Sequence, residues 1–366
     1  MSAGWSRAII MTPRVGGKDG VSAVTRLYAA TLAERLGTGV DALEIWSLDD
    51  ERQAAWPGDA RVVFRGAAGR RLRFAALAAV AARVDERTLV IVQHLHLLPV
   101  ALPLAWRGAH VVLLLHGVEA WKPLRVLERA GCHAAWKIAA VSAHTAARFR
   151  QANPALAGRT VEVCAPGLPG LPVAGNYRGA APYALIVGRM AAAERYKGHD
   201  LLIDVWPGVC RAVPHARLVV VGGGDDEARL AAKAAGLGLD GAVRFEGVVG
   251  DERLAALYRE ATLFVMPSPG EGFGLVYVEA MSAGIPCIVA AGAAEEIVEH
   301  GRTGVVVPAG DGAALERAIV RLLTGRDERN RMGAAAAETA RRRFGADAFA
   351  RRLQHLLRLP PACASC

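Results

Sequence analysis

At 366 residues, with 53% hydrophobic and 22% charged side chains, the chain has room for two ordinary domains with substantial cores, and this composition excludes a disordered polymer. The net charge of +9 is uneven: residues 1–175 carry 21 Lys/Arg against 13 Asp/Glu, a surplus of 8, whereas the remainder carries 23 against 22. A basic half points to an acidic partner such as phosphates or an anionic surface.

The opening residues hold an apolar stretch of only four or five positions after Arg7, too short for a signal-peptide core or a membrane span. Later apolar runs, Leu95–Trp106 and Val111–Leu115, are broken or bounded by Pro or His. A soluble cytoplasmic protein is the expectation. Six cysteines without framework spacing fit free thiols in a reducing compartment, and Cys363-Ala-Ser-Cys366 reads as a frayed tail rather than a metal or redox site.

In chain order, strands are predicted at 7–11, 40–46, 88–92, 110–115, 137–141 and 160–163, with helical patterns at 21–36, 70–84, 123–130 and 143–151. Such alternation predicts a parallel sheet covered by helices on both faces. Residues 165–182, rich in Gly and Pro and without apolar period, read as a linker. Alternation resumes with strands at 184–187, 218–221, 243–245, 263–266, 286–289 and 305–307. The helix at 199–210 gathers Leu201, Leu202, Val205, Trp206, Val209 and Cys210 on one face. Helical patterns at 314–323, 328–343 and 346–357 end the chain. The expected organisation is a domain at 1–166, a linker at 167–182, a second domain at 183–345, and a segment at 346–366 whose helix packs back toward the first domain. Two doubly wound α/β domains of this kind would set their strand carboxyl ends along one cleft, the edge where open sheets bind ligands.

The stretch FVMPSPGEGFGLVYVEAMSAGIPCIVA, residues 264–290, is the most informative. A buried strand leads through Ser268-Pro269-Gly270 and Glu271 into a Gly-Phe-Gly turn and a helix that starts near Gly274. Amides at a helix start, together with its dipole, suit a diphosphate. Glu271 precedes that helix and Glu279 follows eight positions later, so one carboxylate can face a sugar and the other a ribose.

These residues resemble the Glu-x7-Glu signature of glycosyltransferase family 4, retaining enzymes of the GT-B fold. Further agreement comes from Gly16-Gly17 in the first strand–helix turn, His116 after the strand at 110–115, Gly188-Arg189 with Lys197-Gly198, and the VVGGG run at 220–224. The resemblance covers nearly the whole chain and implies a GT-B architecture of two Rossmann-like domains facing each other across a deep cleft. It also implies transfer of a hexosyl group from a UDP- or GDP-sugar to a saccharide or polyprenyl- or lipid-linked acceptor, as in bacterial surface-polysaccharide or lipopolysaccharide synthesis. By the same resemblance, Arg189 and Lys197 are the diphosphate cations, and the amides of Gly16, Gly17, Gly274, Leu275 and Val276 assist them. Glu271 touches the transferred sugar, Glu279 the ribose, and His116 lies beside the sugar on the acceptor side. Negative charge grows on the leaving diphosphate as the glycosidic bond breaks, and fixed cations lower that barrier. No Asp-x-Asp motif occurs, and Asp49-Asp50 and Asp225-Asp226 are adjacent and so point apart. Catalysis without a metal or other cofactor is the expectation.

Each assignment has a plainer rival: Glu279 as a helix-dipole residue, Arg189 and Lys197 as surface cations, His116 as a core histidine, Gly222–Gly224 as a tight turn only. His94 and His96 share a strand face without an evident third ligand, and with Trp121 they are read on the acceptor side. Arg70, Arg71 and Arg73 open a helix, where cations oppose the dipole, so either an anionic membrane surface or plain solvation accounts for them. Peripheral attachment to the inner face of the plasma membrane follows from the first option. Among other functions, a same-fold phosphorylase or sugar-nucleotide epimerase stays open. An NAD-dependent oxidoreductase is disfavoured because neither glycine run has the G-x-G-x-x-G spacing. A nucleic-acid binder is disfavoured because no such motif appears and aromatic residues are only 6%.

Overall fold

The computed structural model describes residues 4–51, 59, 61–81, 84–168 and 182–358. The chain divides into two units, Met1–Gly167 with Ala346–Cys366, and Leu168–Gly345.

The first unit holds a seven-stranded sheet: β1 (Arg7–Thr12), β2 (Leu43–Ser47), β3 (Val62–Gly66), β4 (Thr88–Val92), β5 (His110–Leu115), β6 (Lys137–Ala140) and β7 (Val161–Val163), in the order β3-β2-β1-β4-β5-β6-β7. Every pairing is parallel, with Ile9 opposite Val90 and Leu113 opposite Ile138. The crossovers run through α1 (Gly20–Ala33), α2 (Arg71–Val80), α3 (Leu98–Trp106), α4 (Val126–Ala134) and α5 (Ala143–Ala152). Both faces of the central strands are covered, so β1, β4 and β5 read as unbroken aliphatic runs with essentially no exposure.

Two elements here differ from the sequence expectation. Strand β3 was not predicted, because an edge strand needs no continuous apolar pattern: Val63 and Arg65 face outward. Its anchor is tertiary, since Arg65 Nε donates at 2.9 Å to Glu44 of β2, a buried carboxylate that also takes Trp46 Nε1 and Arg7. The Pro-broken run at 95–106 is a helix after all. Pro99 lies in its first turn, where no amide partner is lost, and Pro103 is carried inside because Leu98, Ala101, Leu102 and Leu104 are buried. The expected strand start at Val40 shortens to Leu43, with Val40 in isolated bridges to Trp5 and Leu36.

The second unit holds β8 (Tyr183–Val187), β9 (Arg217–Val221), β10 (Val243–Gly247), β11 (Leu263–Met266), β12 (Cys287–Ala290) and β13 (Gly304–Val307), all parallel, in the order β10-β9-β8-β11-β12-β13. Its helices are α6 (His199–Ala212), α7 (Glu227–Gly236), α8 (Asp251–Glu260), α9 (Leu275–Ser282), α10 (Gly312–Thr324) and α11 (Arg326–Phe344). The apolar face read at 199–210 packs against α10: a Cβ on Gly312 would touch Val205 and Leu201.

The last helix, α12 (Ala346–Leu357), belongs to the first unit. Phe349 packs edge-on to Tyr28 at 5.2 Å, Trp5 Nε1 donates to the Leu357 carbonyl at 3.0 Å, and Arg352 Nε donates to the Ala165 carbonyl at 2.9 Å. Most of the expected linker, 169–181, and the terminal Cys363–Cys366 motif lie outside the described residues.

Candidate active site

In the second sheet the strand order reverses at β8, whose neighbours are β9 and β11. Loops leaving the carboxyl ends of β8 and β11 flank that switch point, the place where open α/β sheets bind ligands. The first loop carries Gly188-Arg189 and a 3-10 segment, Ala192–Lys197, and turns into α6 at Gly198. Gly198 has φ 86°, and a Cβ there would lie 2.9 Å from the Pro267 carbonyl oxygen, so the Lys-Gly pair marks where the two loops touch.

Across that contact Lys197 Nζ lies 2.9 Å from Glu271 Oε1, which also accepts from Ser268 Oγ at 3.2 Å. Both side chains of this ion pair are only 14% exposed. Arg189, largely exposed, pairs with Glu194, whose other oxygen is 4.0 Å from Lys197 Nζ. The two cations assigned to a diphosphate are thus each held by a carboxylate. Glu194 has no signature of its own in the sequence; its place three residues before Lys197 is the only clue.

The glycine run after β9 closes against this loop. A Cβ on Gly222 would lie 2.0 Å from the Gly188 carbonyl oxygen, and one on Gly224 2.0 Å from that of Met190. These glycines serve close backbone approach. The following acids point apart: Asp225 Oδ1 accepts from the Ala192 amide at 2.8 Å, and Asp226 pairs with Arg195 and Arg229.

After β11, Gly274 takes φ 96° and starts α9 with no side chain capping its first turn, which contains Leu275 and Val276. Glu279, partly buried in α9, accepts from Tyr258 at 2.7 Å. Burial pushes its carboxyl above the ordinary value, with the Tyr258 hydroxyl pulling the other way.

In the first unit the switch point lies between β1 and β4. Gly16 and Gly17 follow β1, and a Cβ on Gly17 would lie 2.5 Å from Asp19 Oδ2 and Ser22 Oγ, the pair that caps α1. Asp50 occupies this loop: its carboxylate accepts from the Val15 amide at 2.6 Å and, more weakly, from the Gly16 amide at 3.4 Å. The Gly16 amide therefore meets an internal carboxylate before any ligand, which the sequence reading of that loop did not contain.

His116 follows β5 and its Nε2–H donates to Gln93 Oε1 at 3.2 Å, while its amide donates to Glu119 at 2.6 Å. Burial pushes the His116 imidazole down to about 4 against the pull of Glu119, so the ring is neutral near pH 7. His94 lies within electrostatic reach of both, also lowered by burial. Gln93 is fully buried at the end of β4 and its Nε2 has no protein partner among the described residues. It is a site residue that sequence reasoning missed, hidden next to the more visible histidines.

His96 lies with Nδ1 3.1 Å from Glu128 and its ring 4.8 Å from that of His94, while its amide donates to His94 Nδ1 at 3.3 Å. Trp121 packs on α5, edge-on to His144 at 5.4 Å and under Arg148 at 5.0 Å. Among the described residues no group of three or more His, Cys, Asp or Glu could hold a metal ion. Arg70, Arg71 and Arg73 open α2 with no side-chain cap; Arg70 and Arg71 are exposed, and Leu72, which follows them, is 88% exposed.

Residues 181–325 match the family described as Glycosyl transferases group 1. A phosphatidyl-myo-inositol mannosyltransferase of Mycobacterium leprae is 40% identical over 180 residues, 49% of this chain and 45% of that protein. A GDP-mannose-dependent alpha-(1-6)-phosphatidylinositol monomannoside mannosyltransferase of Mycobacterium tuberculosis is 37% identical over 173 residues, 44% of each chain. The matched region thus spans about half the length of these curated relatives. Among solved structures, a sucrose-phosphate synthase of Thermosynechococcus elongatus aligns with a TM-score of 0.80 at 21% identity, over 96% of this chain and 98% of that one. Anabaena HepE in complex with UDP and glucose aligns at 0.73 and 20% identity, over 96% and 99%. These structural likenesses bear on the fold alone, which is GT-B: two parallel-sheet α/β domains.

Proposed function

We propose that this chain, whose residues 181–325 match the family described as Glycosyl transferases group 1, is a retaining hexosyltransferase that uses a nucleoside diphosphate sugar. GDP-mannose is the first donor to test, because a relative 37% identical over 173 residues is named as GDP-mannose-dependent. The acceptor class is a saccharide or a lipid-linked sugar or inositol, in line with the names of the same relatives.

One observation carries this reading: the largely desolvated Lys197–Glu271 pair, with Arg189–Glu194 beside it, at the switch point of the second sheet. As the bond from the anomeric carbon to the diphosphate oxygen breaks, its electron pair stays on the phosphate. Lys197 and Arg189 stabilise that charge, and the uncapped start of α9 at Leu275 and Val276 adds amides and dipole. A departing diphosphate competes with Glu194 and Glu271 for the cations. Glu271, released toward the sugar, orients the hexose, and Glu279 takes the ribose hydroxyls. In the first unit, neutral His116 is a hydrogen-bonding group for the incoming sugar and acceptor, and Gln93 fixes its Nε2 proton. No cofactor enters this scheme.

The test is a screen of GDP- and UDP-hexoses against saccharide and lipid acceptors, scored by release of free nucleoside diphosphate. Acceptor-dependent release from one donor is expected; release from none, with a folded protein, overturns the proposal.

We also place the acceptor at an anionic membrane face of the first unit. The outer face of α2 combines Arg70 and Arg71 with Leu72 and Val80, the latter two 88% and 76% exposed. Cations beside exposed apolar side chains suit a lipid surface. No helix among the described residues is long and apolar enough to cross a membrane, so contact through α2 would be peripheral, at the cytoplasmic face of the plasma membrane. The Arg70/Arg71/Arg73→Ala variant should lose binding to anionic liposomes; retention at the parent level removes α2 from the account.

A further inference from the structure

A groove of about 810 Å³ opens on the first unit, at the amino-terminal edge of its sheet. Lys137 begins β6 and Thr160 precedes β7, so this groove lies at the end of the strands opposite to the loops that carry Gly16, His94 and His116. Its other wall is one stripe of α12 and the residue that follows it: Arg351, Gln354, His355 and Arg358 recur at helical spacing and line it together. The opposite stripe of α12, Phe349, Leu353, Leu356 and Leu357, is buried in the unit. Residues of the groove are thus free of any packing duty in α12.

Three permanent cations face one carboxylate here. Lys137 is 14% exposed and pairs with Glu162 at 2.8 Å, which leaves Arg351 and Arg358 without a carboxylate in the groove lining. Arg358 and Lys137 both lie over the Trp136 ring, at 5.4 and 5.0 Å from its centre. The indole face stabilises both cations and Glu162 offsets Lys137, so Arg358 and Arg351 are the charges that an anion in the groove would meet. Arg358 also adopts φ 52°, a left-handed backbone that disfavours any residue with a Cβ and that glycine ordinarily fills at a helix end.

We propose that this groove is a second ligand site, separate from the transfer site, and that it binds a phosphate-bearing anion. Arg351 and Arg358 supply the paired N–H donors that phosphate oxygens accept. The Lys137 ammonium exchanges part of its contact with Glu162 for the ligand, and His355 and Gln354 complete the lining. A soluble phosphomonoester and a phospholipid headgroup offer the same chemistry, and the experiment separates them.

In the soluble arm, glycerol 3-phosphate is titrated calorimetrically into the full chain with its nucleotide site saturated by GDP or UDP. In the second arm, the Arg70/Arg71/Arg73→Ala protein is sedimented with phosphatidylglycerol–phosphatidylcholine vesicles, so that α2 contributes nothing. Each arm is repeated with Arg351→Gln/Arg358→Gln and with Arg358→Gly, which relieves the backbone while removing the charge and so tests the site without a folding penalty. The expected result is saturable binding in at least one arm, weakened at least about tenfold by both variants, with nucleoside diphosphate release unchanged. Binding in the soluble arm alone identifies a free phosphomonoester; binding in the vesicle arm identifies a headgroup. No binding in either arm, or binding that both variants leave intact, overturns the proposal.

Discussion

In both units an acidic pair after the second strand fastens the loop after the first. Asp49 and Asp50 follow β2 and hold Arg14 and the Val15 amide; Asp225 and Asp226 follow β9 and hold the Ala192 amide and Arg195. The strand order around the two switch points is also the same. What differs is the charge presented there. In the first unit the acid reaches the Gly16 amide, Arg26 is tied to the Val15 and Gly17 carbonyls of the same loop, and the histidines nearby are kept neutral by burial. In the second unit the acids bind the 3-10 segment of the loop, at Ala192 and Arg195, and Lys197 and Arg189 rest on carboxylates that a ligand can displace. One scaffold thus supports two electrostatic sites, and the cationic one suits a diphosphate.

That contrast can be broken most forcefully at Glu271. Glu271→Gln keeps the size of the side chain but removes the charge facing Lys197, and turnover should fall at least about a hundredfold, roughly 2.7 kcal/mol of transition-state stabilisation. Steady-state release of nucleoside diphosphate checks it, with circular dichroism to show an intact fold. Wild-type rates would take Glu271 out of the site. A smaller effect should separate the units: His116→Asn should lower turnover about tenfold while leaving nucleotide affinity alone. Loss of nucleotide affinity in that variant would place donor recognition in the first unit and contradict the comparison.

The smallest effect is a slope with pH. His116 and His199 are both pushed by burial from 6.5 down to about 4. Their unfolded imidazoles take up protons below about pH 6.5 that the folded ones refuse until about pH 4. Their contribution to stability is therefore present above that window and lost as pH falls through it. The melting temperature should drop across pH 6.5 to 4, and His199→Asn should flatten part of the slope relative to its own value at pH 7.5. An unchanged slope would mean that His199 is not held neutral.

The second unit was the more legible in sequence because its site is local. Gly198 and Gly274 need positive φ, and Gly222 and Gly224 admit no Cβ, so each leaves a glycine where a strand meets a helix. Glu271 and Glu279 stand out between those glycines. The first unit hides its logic in tertiary pairings. Asp50, Gln93 and Glu119 act through residues 23 to 35 positions away or through backbone amides, and nothing in their neighbourhoods announces it. Strand β3 escaped for the same reason: Glu44 anchors it across the sheet while its own outer face, Val63 and Arg65, is exposed. The helix at 98–106 escaped because burial outweighed two prolines.

The most direct test is calorimetric titration of GDP and UDP into the full chain, compared among the parent, Lys197→Ala and His116→Asn. Lys197→Ala leaves Glu271 without its cation, and the dissociation constant of the preferred nucleotide should rise at least about tenfold, while His116→Asn stays within about twofold of the parent. Parent-like affinity in Lys197→Ala would contradict the placement of the diphosphate at the second switch point.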